Sequence, residues 1–285
     1  MILVTGAAGK TGLAVIGALA RRGESVRALV HRPAQREEVR GAGAAEVAVG
    51  DQRDRRVLAS ALGGVEAVYH IAPNVHPDEL AMGRSVVAAC QHVGVTRLVY
   101  HSVIHPQLET MPHHWHKLRV EEAVIGSALR WTILRPCAYL QNVLGYLRDA
   151  RDEGVYRVPY ATGHPAWMVD LADVAEVAGR VLTEDGHVYA TYDLCGPQGL
   201  SATGVATILS QHLGRAVEAE RIDPDDWREE AQRSDLDPRS VDLLHAMFRH
   251  YDTHGVPGNP RILEMLLGRA PGGLEDVLER DAVDT

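Results

Sequence analysis

Short apolar runs alternate along the first half of the chain with longer stretches whose apolar positions recur every three or four residues. The runs predict strands at Ile2–Thr5, Ser25–Val30, Glu46–Val49, Ala67–Ile71, Arg97–His101 and Trp131–Leu134. The amphipathic stretches predict helices at Thr11–Arg22, Pro33–Gly41, Arg53–Leu62, Pro77–Val93 and Pro112–Ala128. Strand and helix in regular alternation predict parallel βαβ units with right-handed crossovers, and so a doubly wound α/β sheet.

The rhythm changes after Pro136. Helices are predicted at Ala138–Arg151, Leu171–Leu182 and Ala202–Leu213, with extended pieces at Val155–Tyr160 and Tyr189–Leu194. The stretch Pro224–Arg280 reads as short helices broken at Pro238, Gly255, Pro260 and Pro271. The expected division is a sheet domain over 1–150 and a smaller, mainly helical cap over 151–285, partly returning to the sheet. No flexible linker separates them.

The first strand runs into Thr5-Gly6-Ala7-Ala8-Gly9-Lys10-Thr11-Gly12, with glycines three apart. Between a strand and a helix, one such glycine makes a tight turn. Another lets a pyrophosphate approach the backbone, and a third lets helix and strand pack closely. Unpaired N–H groups at the helix start favour the anion. This is the pattern of a Rossmann-type dinucleotide site, with Gly6, Gly9, Lys10, Thr11 and Gly12 as its phosphate turn.

A cofactor with a free ribose 2′-hydroxyl meets an Asp or Glu at the end of the second strand, and this chain has His31-Arg32 there instead. A guanidinium suits a 2′-phosphate, which favours NADP(H) over NAD(H). After the third strand, Asp51 and Gln52 stand where the adenine would lie, while Asp51 or Asp54 can equally cap the next helix. Ile71 and Ala72, at the end of the fourth strand, should line the nicotinamide side of the crevice.

Composition narrows the class further. Of 29 basic side chains only Lys10 and Lys117 are lysines, and the net charge is −9. Most of that charge lies in the last stretch of the chain: from Arg221 onward there are 15 acidic residues and 8 arginines. No basic surface of the kind that binds nucleic acid directly is expected. No apolar run approaches the length of a membrane span, and the amino terminus lacks the apolar region of a signal peptide. The three cysteines, Cys90, Cys137 and Cys195, are widely spaced, which disfavours a disulfide framework and fits a cytoplasmic location. Histidines are dense between His101 and His116, yet no carboxylate stands at a ligand spacing, so no metal site is expected.

With these motifs the chain resembles the short-chain dehydrogenase/reductase superfamily, in particular its atypical NmrA-like branch. The resemblance rests on TGAAGKTG at 5–12, GD at 50–51, HHWHKLRVEE at 113–122 and WTILRP at 131–136. Tyr139, Asn142, VDLADVA at 169–175 and the acidic helical tail extend it over nearly the whole length. It implies NAD(P) binding and a seven-stranded or similar sheet with a carboxy-terminal cap. Some members resemble reductases of quinones, dyes or aromatic natural products, and others bind the nucleotide as redox sensors without catalysis.

The superfamily's usual Tyr-x-x-x-Lys is broken here, because His113 stands four residues before Lys117. Lys117 is expected at the nicotinamide ribose. His113 is a candidate acid or base, since imidazole titrates near neutrality, and equally a surface histidine. Ser102 falls where the superfamily's serine orients a carbonyl. His76, His105, Tyr139 and Asn142 are candidate contacts for a small aromatic or quinone-like substrate. The expected protein is an NAD(P)H-dependent oxidoreductase, a monomer or homodimer. A non-catalytic NADP(H) sensor and an aromatic polyketide tailoring enzyme, including an oxygenase, remain open alternatives.

Overall fold

The computed structural model describes residues 1–282. In chain order the elements begin with β1 (Ile2–Val4), α1 (Lys10–Arg21), β2 (Val26–Val30), α2 (Arg36–Gly41), β3 (Glu46–Val49) and α3 (Arg55–Ala61). Next come β4 (Ala67–His70), α4 (Glu79–Val93), β5 (Arg97–His101), α5 (Pro112–Ile125), β6 (Arg130–Pro136), β7 (Ala138–Tyr139) and α6 (Leu147–Asp152). They continue with β8 (Val155–Val158), β9 (Ala166–Val169), α7 (Leu171–Thr183), β10 (Ala190–Leu194), β11 (Gly199–Leu200) and α8 (Ala202–Leu213). The last are β12 (Glu218–Arg221), α9 (Pro224–Ala231), α10 (Pro238–His254), α11 (Arg261–Leu267) and α12 (Leu274–Asp281).

Seven strands form one sheet in the order β10-β6-β5-β4-β1-β2-β3. The pairings among β1 to β6 are all parallel. The chain winds outward from β1 through β2 to β3, then returns to β4 on the other side of β1. That reversal puts a topological switch point at the carboxyl ends of β1 and β4, the place where such sheets take ligands.

Two compact units are present. The first contains residues 1–107, 113–135 and 174–192, so α7 and most of β10 complete the sheet unit after the chain has left it. Its central strands β1, β4 and β5 are buried along nearly their whole length, as a sheet covered by helices on both sides requires. Leu3, Val68, Leu98 and Ile133 pack with Leu58, Val86, Val120 and Val124 from α3, α4 and α5, and with Leu62 at the end of α3. Helices α4 and α5 approach closely at Gly83, where an added Cβ would run into the Val120 side chain.

The second unit contains residues 108–112, 136–173 and the chain from 193. It carries a three-stranded sheet, β11-β9-β7, and a parallel pair, β12-β8. Leu140, Val143, Leu147, Tyr156, Val205, Leu209, Val277 and Leu278 form its core. Pro224 and Pro238 open α9 and α10 as first-turn prolines behind the capping carboxylates of Asp223 and Asp237. The expected break at Pro238 thus falls between α9, which ends at Ala231, and α10, which Pro238 opens.

The continuous helix expected over Ala138–Arg151 is replaced by β7, a 3₁₀ segment over Leu140–Tyr146, and α6. The cause is tertiary. Ala138 and Tyr139 pair with Met168 and Val169 of β9, and the Gln141 amide is held by Asp170 and by the Leu171 N–H. Likewise Pro33–Gln35 is a 3₁₀ turn that precedes α2, fixed by the Arg32 N–H donating to Gln35 Oε1 at 2.9 Å.

The Gly83 contact gives a sign test. In a helix interior alanine is favoured over glycine by about 1 kcal/mol, whereas overpacking costs about 1–3 kcal/mol. Gly83→Ala is therefore expected to lower stability in the native background and to raise it in a Val120→Ala background. Urea denaturation of the four proteins measures both signs.

Candidate active site

The glycine turn occupies the β1–β4 reversal. Gly6 adopts φ +56, and a Cβ there would sit 2.7 Å from the Ile71 carbonyl oxygen, so only glycine fits without strain. At Gly12 a Cβ would lie 2.5 Å from the Gly6 oxygen and 2.6 Å from the Ala7 oxygen, which is how α1 seats against the turn. Gly9 caps α1 without a side chain and is exposed, and a Cβ there would meet the Gly6 oxygen at 3.4 Å and nothing nearer. The first turn of α1 holds no acidic residue. The helix start thus carries no capping side chain and no negative charge to compete with an anion, which suits a pyrophosphate. Lys10 is exposed and Thr11 is buried at the same helix start.

Thr5 links the turn to β4. Its Oγ1 donates to the Ile71 carbonyl at 3.0 Å, accepts from the Ile71 N–H at 3.0 Å, and bonds His70 Nδ1 at 2.8 Å. With the hydroxyl proton given to Ile71, the His70 Nδ1–H is the donor in that last bond. This fixes the backbone of Ile71 and Ala72 beside the turn.

At the end of β2, His31 and Arg32 are exposed, with no carboxylate in the segment. After β3, Asp51 accepts from the Arg53 N–H at 2.8 Å and pairs with its guanidinium at 2.6 Å. The Arg53 side chain holds the Asp51 carboxyl down at about 2. Asp54, not Asp51, caps α3, accepting from the Arg56 N–H at 2.7 Å. Gln52 is buried with its Nε2 on Met82 Sδ, and its Oε1 has no partner among the described residues.

Strands β4 and β5 both end in Tyr-His, and their register sets His70 opposite Tyr100. The His70 and Tyr100 rings stack at 5.7 Å, and the Tyr69 hydroxyl bonds His101 Nδ1 at 2.6 Å. Tyr100 donates to Glu79 Oε1 at 3.0 Å, and Lys117 Nζ donates to the same oxygen at 2.9 Å. Lys117 also reaches the His101 carbonyl at 3.3 Å and lies 5.7 Å from the Tyr100 ring centre. A parallel arrangement surrounds Glu121, which accepts from Ser102 Oγ at 2.5 Å and from a forked Arg135 at 3.0 and 2.6 Å. Both carboxylates are buried, and each is neutralised by one cation and satisfied by one hydroxyl.

His113 and His114 are buried on the first turn of α5, their rings edge to face at 4.4 Å. Neither Nδ1 has a partner among the described residues. Burial, with the Lys117 charge added, pushes His70 and His101 down to about 3. Burial pushes His114 to about 4 and His113 well below its ordinary value. All four are neutral imidazoles at neutral pH. His76 Nδ1 accepts from the Asp78 N–H at 3.0 Å in the turn before α4, and His105 takes φ +50.

The first unit thus gathers the glycine turn, Ile71, Ala72, Ser102, His113 and Lys117 at the carboxyl ends of its strands. Tyr139 and Asn142 belong to the second unit, the former half-buried on β7 and the latter exposed in the 3₁₀ segment. Glu79, Tyr100, Glu121 and Arg135 were not singled out by sequence. The repeated Tyr-His at 69–70 and 100–101 was the available signal, since two adjacent parallel strands ending alike must place these rings together.

A profile of the NmrA-like family matches residues 1–282. The chain is 37% identical over 227 residues to a (4-alkanoyl-5-oxo-2,5-dihydrofuran-3-yl)methyl phosphate reductase of Streptomyces griseus, covering 79% of this chain and 78% of the relative. It is 34% identical over 222 residues to an NAD(P)H azoreductase of Xenophilus azovorans, covering 76% of this chain and 75% of the relative. Among solved structures, an NADPH-dependent quinone oxidoreductase of Escherichia coli, complexed with NADPH, aligns with TM-score 0.86 at 26% identity, over 98% of this chain and 99% of that one.

The neutral histidines give a pH signature with a definite sign. Their folded pKa values lie below the unfolded value of about 6.5, so the unfolded chain binds the extra protons between that pH and the folded values. Stability is therefore full above about pH 7 and falls with acidification, by up to about 1.4 kcal/mol per pH unit for each histidine. Urea denaturation should show proton uptake by these histidines on unfolding that rises from about one at pH 7 to close to four near pH 5. His70→Asn, which keeps a donor toward Thr5, should remove one of them.

Proposed function

The chain belongs to the NmrA-like family, and from that premise we propose that it is an NADP(H)-dependent reductase of a quinone-like or aromatic carbonyl acceptor. The observation that carries this proposal is the glycine turn at the β1–β4 reversal, opening an acid-free helix end, with Arg32 where a carboxylate would select NAD(H). The named activities of the relatives, reduction of azo, quinone and butenolide compounds, support a small unsaturated acceptor.

Bound nicotinamide nucleotide supplies a hydride. The turn from Gly6 to Gly12, Lys10 included, would hold the pyrophosphate, and Arg32, with His31, would meet the 2′-phosphate. Asp51 and Gln52 flank the adenine. Lys117, fixed by Glu79 and the His101 carbonyl, is the residue that would contact the nicotinamide ribose.

Proton supply is where this chain departs from a tyrosine enzyme. The Ser102 proton is donated to Glu121, so Ser102 offers a substrate a lone pair and no proton. His113 is neutral and stands near the Lys117 charge, so it is a hydrogen-bond donor at best and a poor acid. Hydride transfer to an electron-poor ring needs little acid assistance, because the developing anion is delocalised over the acceptor. A simple ketone needs a proton at its oxygen as the hydride arrives. The residues present therefore favour quinone-like acceptors, with His76, His105 and His113 as candidate polar contacts.

NADPH oxidation should be followed with benzoquinones, naphthoquinones and simple aromatic ketones. Turnover is expected with quinones and is expected to be far slower with ketones. Arg32→Ala should raise KM for NADPH roughly tenfold, the equivalent of about 1.4 kcal/mol, and leave KM for NADH unchanged. Tight NADPH binding with no turnover of any acceptor would overturn the reductase assignment in favour of a nucleotide sensor.

A further inference from the structure

Cys137 directly follows β6 and Cys195 directly follows β10. The Cys137 N–H donates to the Leu194 carbonyl at 3.0 Å, which sets the two chain segments side by side. Their Sγ atoms are 3.1 Å apart, about 1 Å beyond a disulfide bond. Both side chains are buried, and Cys90, the third cysteine, lies on α4 in the other unit.

The two sulfurs are not equivalent. Cys195 Sγ receives the Cys137 S–H and also the Asn259 backbone N–H. Gly258 packs against it so closely that a Cβ there would lie 2.9 Å from the sulfur, while meeting the Trp167 side chain at 2.7 Å. Two donors favour negative charge on Cys195, and its thiol is held below the ordinary value. Cys137, the donor, is pushed up by that bond and by burial. Asp193 opposes ionisation of either sulfur. One sulfur prepared as a nucleophile, with a second in bonding reach, is the arrangement of an attacking and a resolving thiol.

We propose that Cys137 and Cys195 are a redox-active dithiol that closes to an intramolecular disulfide on reaction with a hydroperoxide. The Cys195 thiolate attacks one peroxide oxygen, forming an S–O bond as the O–O bond breaks. The displaced oxygen leaves with a proton as water or an alcohol. Cys137, losing its proton, then attacks the Cys195 sulfur. The S–S bond forms as the S–O bond breaks, and the hydroxide takes up that proton as water. Two thiols lose two electrons and two protons, and the hydroperoxide is reduced. Burial restricts the oxidant to a small molecule, and proximity of the second thiol diverts the sulfenic acid from further oxidation.

The test treats the full-length protein with hydrogen peroxide, alkylates it under denaturing conditions and maps the peptides by mass spectrometry. The expected product is one Cys137–Cys195 peptide pair, lighter by two hydrogens, reopened by dithiothreitol, with Cys90 alkylated. Cys137→Ser should leave a sulfenic acid on Cys195 that a 1,3-dione traps, whereas Cys195→Ser should leave Cys137 unlabelled. Three alkylatable thiols after peroxide, a crosslink through Cys90 or between molecules, or dione on Cys137 in Cys195→Ser would each overturn the proposal. The wild-type measurement stands even where a serine variant fails to fold.

Discussion

The buried pair between Lys117 and Glu79 is the contact on which the carboxyl end of the sheet depends. Glu79 is 3% exposed and the Lys117 side chain 13%, so both charges have given up most of their water. Desolvation of this kind costs several kcal/mol per ion and is offset only where the remaining donors and acceptors are also satisfied. Here Tyr100 donates to the same carboxylate oxygen and the His101 carbonyl accepts a second ammonium hydrogen. The pair therefore joins the first turn of α4, the middle of α5 and the end of β5 in one polar knot. Removing either charge leaves the other buried alone, which is the costly case.

That knot also decides the acid–base character of its surroundings. A fixed positive charge beside four buried imidazoles lowers their proton affinity in addition to what burial does. The histidines are dense in sequence, yet they form a neutral hydrogen-bonding lining and not a proton reservoir. The second carboxylate, Glu121, acts in the same direction by holding the Ser102 proton. A site built this way polarises and positions. Its acid–base character follows from the physics of two ion pairs.

Much of the sheet unit was legible because local signals and the fold agree. The strands from Ile2 to Leu134 and their intervening helices appear within a few residues of their expected limits, and the glycine turn lies where its spacing indicated. What could not be read was fixed by distant partners. Ala138 and Tyr139 are strand only because β9 is beside them. Lys117 pairs with Glu79, 38 positions away on another helix, a partner that no local spacing marks. Cys137 and Cys195 are 58 residues apart, and their contact follows from the adjacency of β6 and β10 in the sheet.

The scarcity of lysine acquires a physical reading at one of its two positions. Arginine serves wherever a carboxylate is met edge-on by a planar fork. Arg135 grips Glu121 through two nitrogens and Arg280 does the same to Asp170. Lys117 meets a different demand. Its nitrogen contacts a carboxylate oxygen and a backbone carbonyl while lying over the Tyr100 ring, three partners met by one buried point charge. A compact ammonium with tetrahedral donors satisfies such a set, and a guanidinium of larger, flat shape does not. Lys10, exposed at the start of α1, is under no comparable packing constraint. The two lysines thus separate into one required by buried geometry and one whose place depends on the ligand at the glycine turn.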